Sequence, residues 1–153
     1  MNSSRSDAAT PRVAHIPFEE LTIGMSALME WTIAASDIDA FANVSGDINP
    51  LHVDAEFARE RGFPDRVAHG FLLGARVSAF VGTVMPGRDC LLLETQLAWP
   101  NPCYAGDVVR LRGEIAELSS ENRIMRIKFR ATATRSATAV VVGRGWTLCQ
   151  SRF

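Results

Sequence analysis

Three cysteines among 153 residues, Cys90, Cys103 and Cys149, form no Cys-x-x-Cys pair. Their scatter gives no zinc ligand cluster. An odd number without a leader segment argues against a disulfide framework and for a reducing compartment. No sign of charge dominates. Lys and Arg number 16 against 17 Asp and Glu, a formal net charge of -1, without the positive field that nucleic-acid binding needs. No apolar run reaches the roughly 20 residues of a bilayer span. The longest, around residues 71–85, is broken by Gly74, Arg76, Ser78 and Gly82. Residues 1–15 are polar and lack the apolar core of a secretory leader. These absences point to a cytoplasmic chain that neither inserts into membranes nor binds nucleic acid. Known catalytic signatures are missing too. Neither Ser36 nor Ser45 sits in a G-x-S-x-G elbow, and nothing marks Cys103 as a nucleophile. Gly143-x-Gly145 lies inside a strand with no helix after it, so it is no dinucleotide motif. Lys128 and the arginines near it read as the solvated face of a strand.

What is present suits one domain with a real core: 47% hydrophobic and 22% charged residues over a length typical of a single domain. Residues 1–15 read as a flexible tail and 16–153 as the domain. Residues 26–35 read as a first strand. Ser36 reads as the N-cap of a helix over 37–43, with Asp39 completing a capping box and Ile38, Phe41 and Ala42 facing inward. Asp54 caps a helix over 55–61 that ends at Gly62. From Gly70 the apolar residues surround most of a helical wheel, which predicts a buried helix of about fifteen residues ending at Pro86-Gly87. Strands follow over 90–98, 108–118, 124–134 and 139–149. In the second, Val109, Leu111, Gly113 and Ile115 alternate with polar partners. In the third, Met125, Ile127, Phe129, Ala131 and Ala133 do the same, so each has one buried face. Ser119–Asn122 makes the connecting turn. The sum is an α+β arrangement, a long antiparallel sheet with helices collected on one face.

The chemistry concentrates in Ser45-Gly46-Asp47-Ile48-Asn49-Pro50-Leu51-His52. Five extended residues span about 16 Å, too far for Asp47 and His52 to share one atom. The Asn49-Pro50 pair favours a turn that would bring them to either side of one water. Two readings stand here: a turn-capping Asp47 with a surface His52, or a carboxylate and imidazole that activate water together. A metal held by Asp47, His52 and Asp54 is a weaker third. His69-Gly70 opens the apolar helix, where free N–H groups and the positive dipole end gather. Gly70 would let a ligand carbonyl approach its amide, which would polarise it.

The run Phe41-Ala-x-x-Ser45-Gly-Asp47-x-Asn49-Pro50-Leu51-His52-x-Asp54 continues with Phe63 and Arg66-Val67-Ala68-His69-Gly70. It resembles the MaoC-like dehydratase family, whose best-known members are the (R)-specific enoyl-CoA hydratases. Pro102-x-x-x-Gly106-Asp107 resembles the family's later turn. The resemblance implies a single hot-dog fold, with the sheet wrapped around a central helix at about residues 70–85, and a homodimer or higher oligomer with pockets near the interface. It implies Asp47 and His52 as the catalytic pair and the Gly70 amide as the carbonyl donor, with Asn49, Ser45 and His69 in support. The substrate would be an acyl thioester of coenzyme A or acyl carrier protein, and the reaction hydration of a trans-2-enoyl thioester or dehydration of an (R)-3-hydroxyacyl thioester. No metal or redox cofactor is implied. Arg59, Arg61, Arg66 and Arg88 are nominees for the carrier's phosphates. A hot-dog thioesterase is the alternative enzyme, and a non-catalytic acyl-thioester-binding or assembly subunit the alternative without turnover. Two departures from the family pattern fall near the expected acyl pocket: a turn-like Gly62-Phe63-Pro64-Asp65, and Trp99 where phenylalanine is common.

Overall fold

The computed structural model describes residues 13–135 and 137–152. Five strands build one sheet: β1 (Ser26–Thr32), β2 (Cys90–Ala98), β3 (Val108–Ser119), β4 (Ile124–Arg135) and β5 (Thr138–Ser151). Their order is β1-β3-β4-β5-β2, and every neighbouring pair is antiparallel. The helices are α1 (Ala35–Ser45), α2 (Pro50–Val53), α3 (Ala55–Glu60) and α4 (Gly70–Thr83), with a short 3-10 turn at Phe18–Glu20. This is a single hot-dog-like fold, a long antiparallel sheet packed against a central long helix.

The alternation in β3 and β4 decides which face meets α4. Val109, Leu111 and Ile115 of β3 are buried, and so are Met125, Ile127, Phe129, Ala131 and Ala133 of β4. From the helix side come Leu72, Leu73, Val77, Phe80 and Val81. Phe80 is fully buried and meets Phe129 edge-on, ring centroids 5.5 Å apart at 87°. Gly113 makes room for it, because a Cβ there would lie 2.6 Å from the Phe80 ring. Helix and sheet can approach closely only because one inward position of β3 carries no side chain.

Several boundaries differ from those the sequence suggests. The first strand stops at Thr32. Helix α1 begins at Ala35 rather than after Ser36, because the Asp37 carboxylate accepts the Ala34 N–H at 3.0 Å. Asp39 makes no cap there and instead accepts from Arg66 Nη1 at 2.5 Å. Residues 50–53, expected as loop, form one helical turn with Pro at its first position, where proline loses no hydrogen bond. Helix α4 is not covered all round, since Phe71 is 69% exposed. Strand β2 lies at the sheet edge and leaves Leu91, Leu92 and Leu93 exposed. Of the expected tail, residues 1–12 lie outside the described residues. Ala14 donates to the Thr83 carbonyl at 2.9 Å, and His15 bridges to Gly87, so residues 14 and 15 belong to the fold and not to a tail.

Gly113→Ala should destabilise the protein by about 1–3 kcal/mol, the usual cost of overpacking a core. Thermal and urea unfolding would measure the loss. A melting temperature equal to wild type would refute the close approach of Phe80 to β3.

Candidate active site

Helix α1 ends at Gly46, whose φ of 75° is in the left-handed region, and the chain turns sharply into Asp47. Ser45 Oγ donates to the Phe41 carbonyl at 2.6 Å and accepts the Asp47 N–H at 3.2 Å. Asp47 Oδ1 accepts the Asn49 N–H at 3.3 Å. Asn49 Oδ1 in turn caps α2 by accepting the Leu51 N–H at 3.0 Å. Ser45 and Asn49 thus shape the turn that carries Asp47 into position beside α2. Asp54 Oδ1 caps α3 through the Glu56 and Phe57 amides, which removes it from the site.

The second carboxylate oxygen of Asp47 lies 3.8 Å from His52 Nε2. That gap is too long for a direct hydrogen bond and suits one water bonded to both atoms. On the far side of the ring, His52 Nδ1 lies 2.6 Å from the Val67 carbonyl oxygen. A carbonyl can only accept, so the proton sits on Nδ1. In the neutral ring Nε2 then keeps its lone pair, aimed at the Asp47 side. Asp47 therefore both caps a turn and faces the imidazole, with one oxygen for each task.

His69 supports this arrangement from beneath. It is 2% exposed. Its Nε2–H donates to the Asp47 backbone carbonyl at 2.9 Å, its ring stacks on His52 at 3.8 Å between centroids, and Phe41 covers it at 5.0 Å. The next residue, Gly70, is the first of α4. No described residue accepts the Gly70 N–H, as expected for a first-turn donor. Asp47, His52 and His69 bring three ligand atoms within 4.8 Å of one another. The imidazole planes are stacked with only 29° between them. An ion must lie near the plane of each ring that binds it, and stacked rings do not converge on one point.

The segment carrying Val67 is held from two sides. Its N–H donates to the Leu51 carbonyl at 2.9 Å, and the Ala68 N–H donates to Cys103 at 2.7 Å. Cys103 belongs to the turn at 102–107, which Arg135 clamps from β4. The guanidinium donates to the Pro102 carbonyl and to Asp107, both at 2.5 Å, and lies 4.7 Å from the Tyr104 ring. A cavity of about 390 Å³ opens beside the site, lined by Leu51, His52, Phe63, Gly70, Trp99 and Cys103 among others. Burial, then the nearby Asp107 charge, push the Cys103 thiol up to about 12. It stays protonated near neutrality, as a cavity wall and not a nucleophile.

Of the four arginine nominees, each has a carboxylate at hand. Arg59 lies 3.5 Å from Asp65, Arg61 3.8 Å from Glu60, Arg66 2.5 Å from Asp39 and Arg88 3.3 Å from Asp89. Arg88 follows the far end of α4, a helix whose 14 residues run about 21 Å, so the structure separates it from the other three. Phe63 and Val67 belong to the motif run, but neither is singled out there as a site residue. A main-chain carbonyl belongs to every residue, so the role of the Val67 carbonyl carries no side-chain signal.

The sequence matches the MaoC like domain over residues 20–139. The chain belongs to that family. It is 34% identical over 117 residues to a 3-hydroxybutyryl-CoA dehydratase of Methylorubrum extorquens, covering 76% of this chain and 74% of that protein. It is 33% identical over 135 residues to an (R)-specific enoyl-CoA hydratase of Rhodospirillum rubrum, covering 88% and 92%. Among solved structures, the unliganded R-hydratase PhaJ1 of Pseudomonas aeruginosa superimposes with a TM-score of 0.83 at 34% identity, covering 91% of this chain and 87% of that one.

Folded protein should resist alkylation of Cys103 at pH 8, while the unfolded chain reacts freely. As pH rises from about 9 towards 12, the buried neutral thiol loses its advantage over the unfolded one, and stability falls with it. Mass spectrometry after iodoacetamide treatment would check this. Rapid labelling of Cys103 in the native protein would contradict its burial.

Proposed function

We propose that this protein hydrates trans-2-enoyl thioesters, and in reverse dehydrates (R)-3-hydroxyacyl thioesters, using one water held between Asp47 and His52. Family membership and fold support hydratase- or dehydratase-type chemistry on acyl thioesters, as does the Asp/His cluster. The observation that carries the finer reading is the pair of His52 contacts. Val67 holds the proton on Nδ1, and Nε2 stands 3.8 Å from the Asp47 carboxylate with its lone pair free.

A thioester carbonyl bonded to the Gly70 N–H is drained of electron density at C3. The charge that develops on its oxygen is met by a preorganised donor at a helix N-terminus. The bridging water attacks C3 as the Asp47–His52 pair takes one of its protons, and the pair returns a proton to C2 on the same side. The pair ends as it began, so atoms and charge balance. His52 Nε2 is the acceptor for the water proton, and Asp47 orients the water. Two such close groups act as one unit. His69 fixes the Asp47 backbone and supports the His52 ring. Arg59, Arg61 and Arg66, on the α3 side of the cavity, are the remaining nominees for the carrier's phosphates, through exchange with their carboxylate partners.

The same protein acts as a dimer formed across β2. That edge strand shows Leu91, Leu92 and Leu93 at 44%, 41% and 46% exposed, and Phe71 lies nearby against Trp99. An apolar sheet edge is a template for pairing with another strand, and a second copy would cover it beside the cavity. Three free cysteines suit the reducing cytoplasm. Among the described residues no helix is long and apolar enough to cross a membrane.

Mixed with crotonyl-CoA, the protein should remove enoyl absorbance without releasing free thiol. Thiol release would mark a thioesterase instead, and binding without either change a non-catalytic subunit. Asp47→Asn and His52→Ala should each lower kcat by about 10²–10⁴-fold, the usual contribution of a positioned acid or base. An unchanged rate in either variant sinks the assignment. Light scattering should give twice the mass of one 16.7 kDa chain, and Leu92→Lys should shift the population towards monomer. A monomeric wild type would refute the β2 interface.

A further inference from the structure

The cavity beside His52 and Gly70 has Leu73 and Trp99 among its walls. The same two side chains also wall a second gap, between α4 and the sheet, of about 10 Å³ and lined further by Val77, Leu111, Phe129 and Ala131. A gap of that size barely admits one water, and its walls are mostly apolar, with Arg144 at one side. We propose that Trp99 is the length stop of the acyl site. Its indole closes the site cavity off from the apolar seam beneath α4, and so restricts the protein to short acyl chains. The identity of the ligand as an acyl thioester rests on the hydration reading above.

The position of the indole carries this. A Cβ on Gly70 would lie 3.0 Å from Trp99 Cδ2 and 3.1 Å from Cε2, so the indole packs directly on the residue whose N–H would hold the thioester carbonyl. An acyl chain leaving that carbonyl towards the seam meets the ring within a few carbons. Phe71 braces the indole with its edge, ring centroids 5.1 Å apart at 62°. Beyond the ring most of the walls, Arg144 apart, are hydrocarbon or aromatic, the lining that an alkyl tail prefers. The same contact explains glycine at position 70. The φ there is ordinary for a helix, and it is the indole that would crowd a side chain at this position. Trp99 is 38% exposed, so shortening it opens one wall of the site without emptying a closed core.

The test compares wild type, Trp99→Phe and Trp99→Ala on two saturated ligands, butyryl-CoA and decanoyl-CoA, by calorimetry. The same proteins are assayed for turnover of crotonyl-CoA and trans-2-decenoyl-CoA. Wild type should favour the four-carbon chain in both measurements. Trp99→Ala should raise the ten-carbon to four-carbon ratio at least tenfold, at roughly fourfold per methylene admitted, with Trp99→Phe between. A folded Trp99→Ala variant whose ratio does not move overturns the proposal, as does a wild type that binds decanoyl-CoA as tightly as butyryl-CoA. If wild type binds the saturated thioesters with the expected length cut-off but hydrates neither enoyl ester, the hydration reading falls and the length stop stands. If it hydrates crotonyl-CoA and the ratio is unmoved by Trp99→Ala, the reverse holds. Failure to bind either saturated thioester overturns both.

Discussion

Two hydrogen bonds from one residue hold this site together. Val67 donates its N–H to the Leu51 carbonyl and accepts the His52 Nδ1–H on its own carbonyl. The first bond fixes where the one-turn helix α2 lies against the approach to α4. The second fixes the tautomer and direction of the imidazole. Two residues later the same segment delivers His69 under the ring, and Gly70 at the head of the central helix. Asp47 and His52 come from one short run and the Gly70 amide from another, and Val67 and His69 tie the two runs together. Hydrogen bonds of this kind contribute about 1 kcal/mol each to folding. Their larger consequence is preorganisation: in the proposed reaction, a base and a carbonyl donor misplaced by an ångström would lose much of their effect.

That segment needs a rigid backing, which comes from the sheet. Arg135 at the end of β4 grips Asp107 and the Pro102 carbonyl, and the turn between them accepts the Ala68 N–H at Cys103. The turn is pinned to β1 as well, through Ile33 and its bonds to Gly106 and Asp107. The clamp explains why a well-buried aspartate at the start of β3 is tolerated: its charge is met by a guanidinium in several hydrogen bonds. Behind the clamp, Gly113 lets Phe80 settle into the sheet, so α4 lies deep and its N-terminus emerges at one fixed place beside the cavity.

Much of this was legible in the residues. The alternation of β3 and β4 named their fully buried side chains correctly, because a period of two admits only one buried face; Leu118 turns inward only after the irregularity between Ile115 and Glu117. The apolar wheel after Gly70 marked the central helix. Where two residues could serve one role, sequence was ambiguous. Ser36 and Asp39 have the right spacing for a capping box, but the helix starts earlier, at Ala35, and Asp37 accepts the Ala34 N–H instead. Asn49-Pro50 suits a turn and a helix start equally, and here it opens α2. Apolar content along β2 did not reveal its exposure, since position at the edge of a sheet is a property of strand order.

The sequence alone determined the side-chain chemistry available, the periods of strands and helix, and, through the spacing from Phe41 to Gly70, the family. These are local or collinear properties, readable from neighbours along the chain. Only the tertiary structure decided which atoms meet: the proton on His52 Nδ1, the stacking of His69, the separation of Arg88 from the other arginines, and Trp99 pressed against Gly70. Each depends on a contact between distant segments. In three of them the deciding partner is a backbone carbonyl, a ring face or an empty Cβ position, and none of these has a signature in the order of residues.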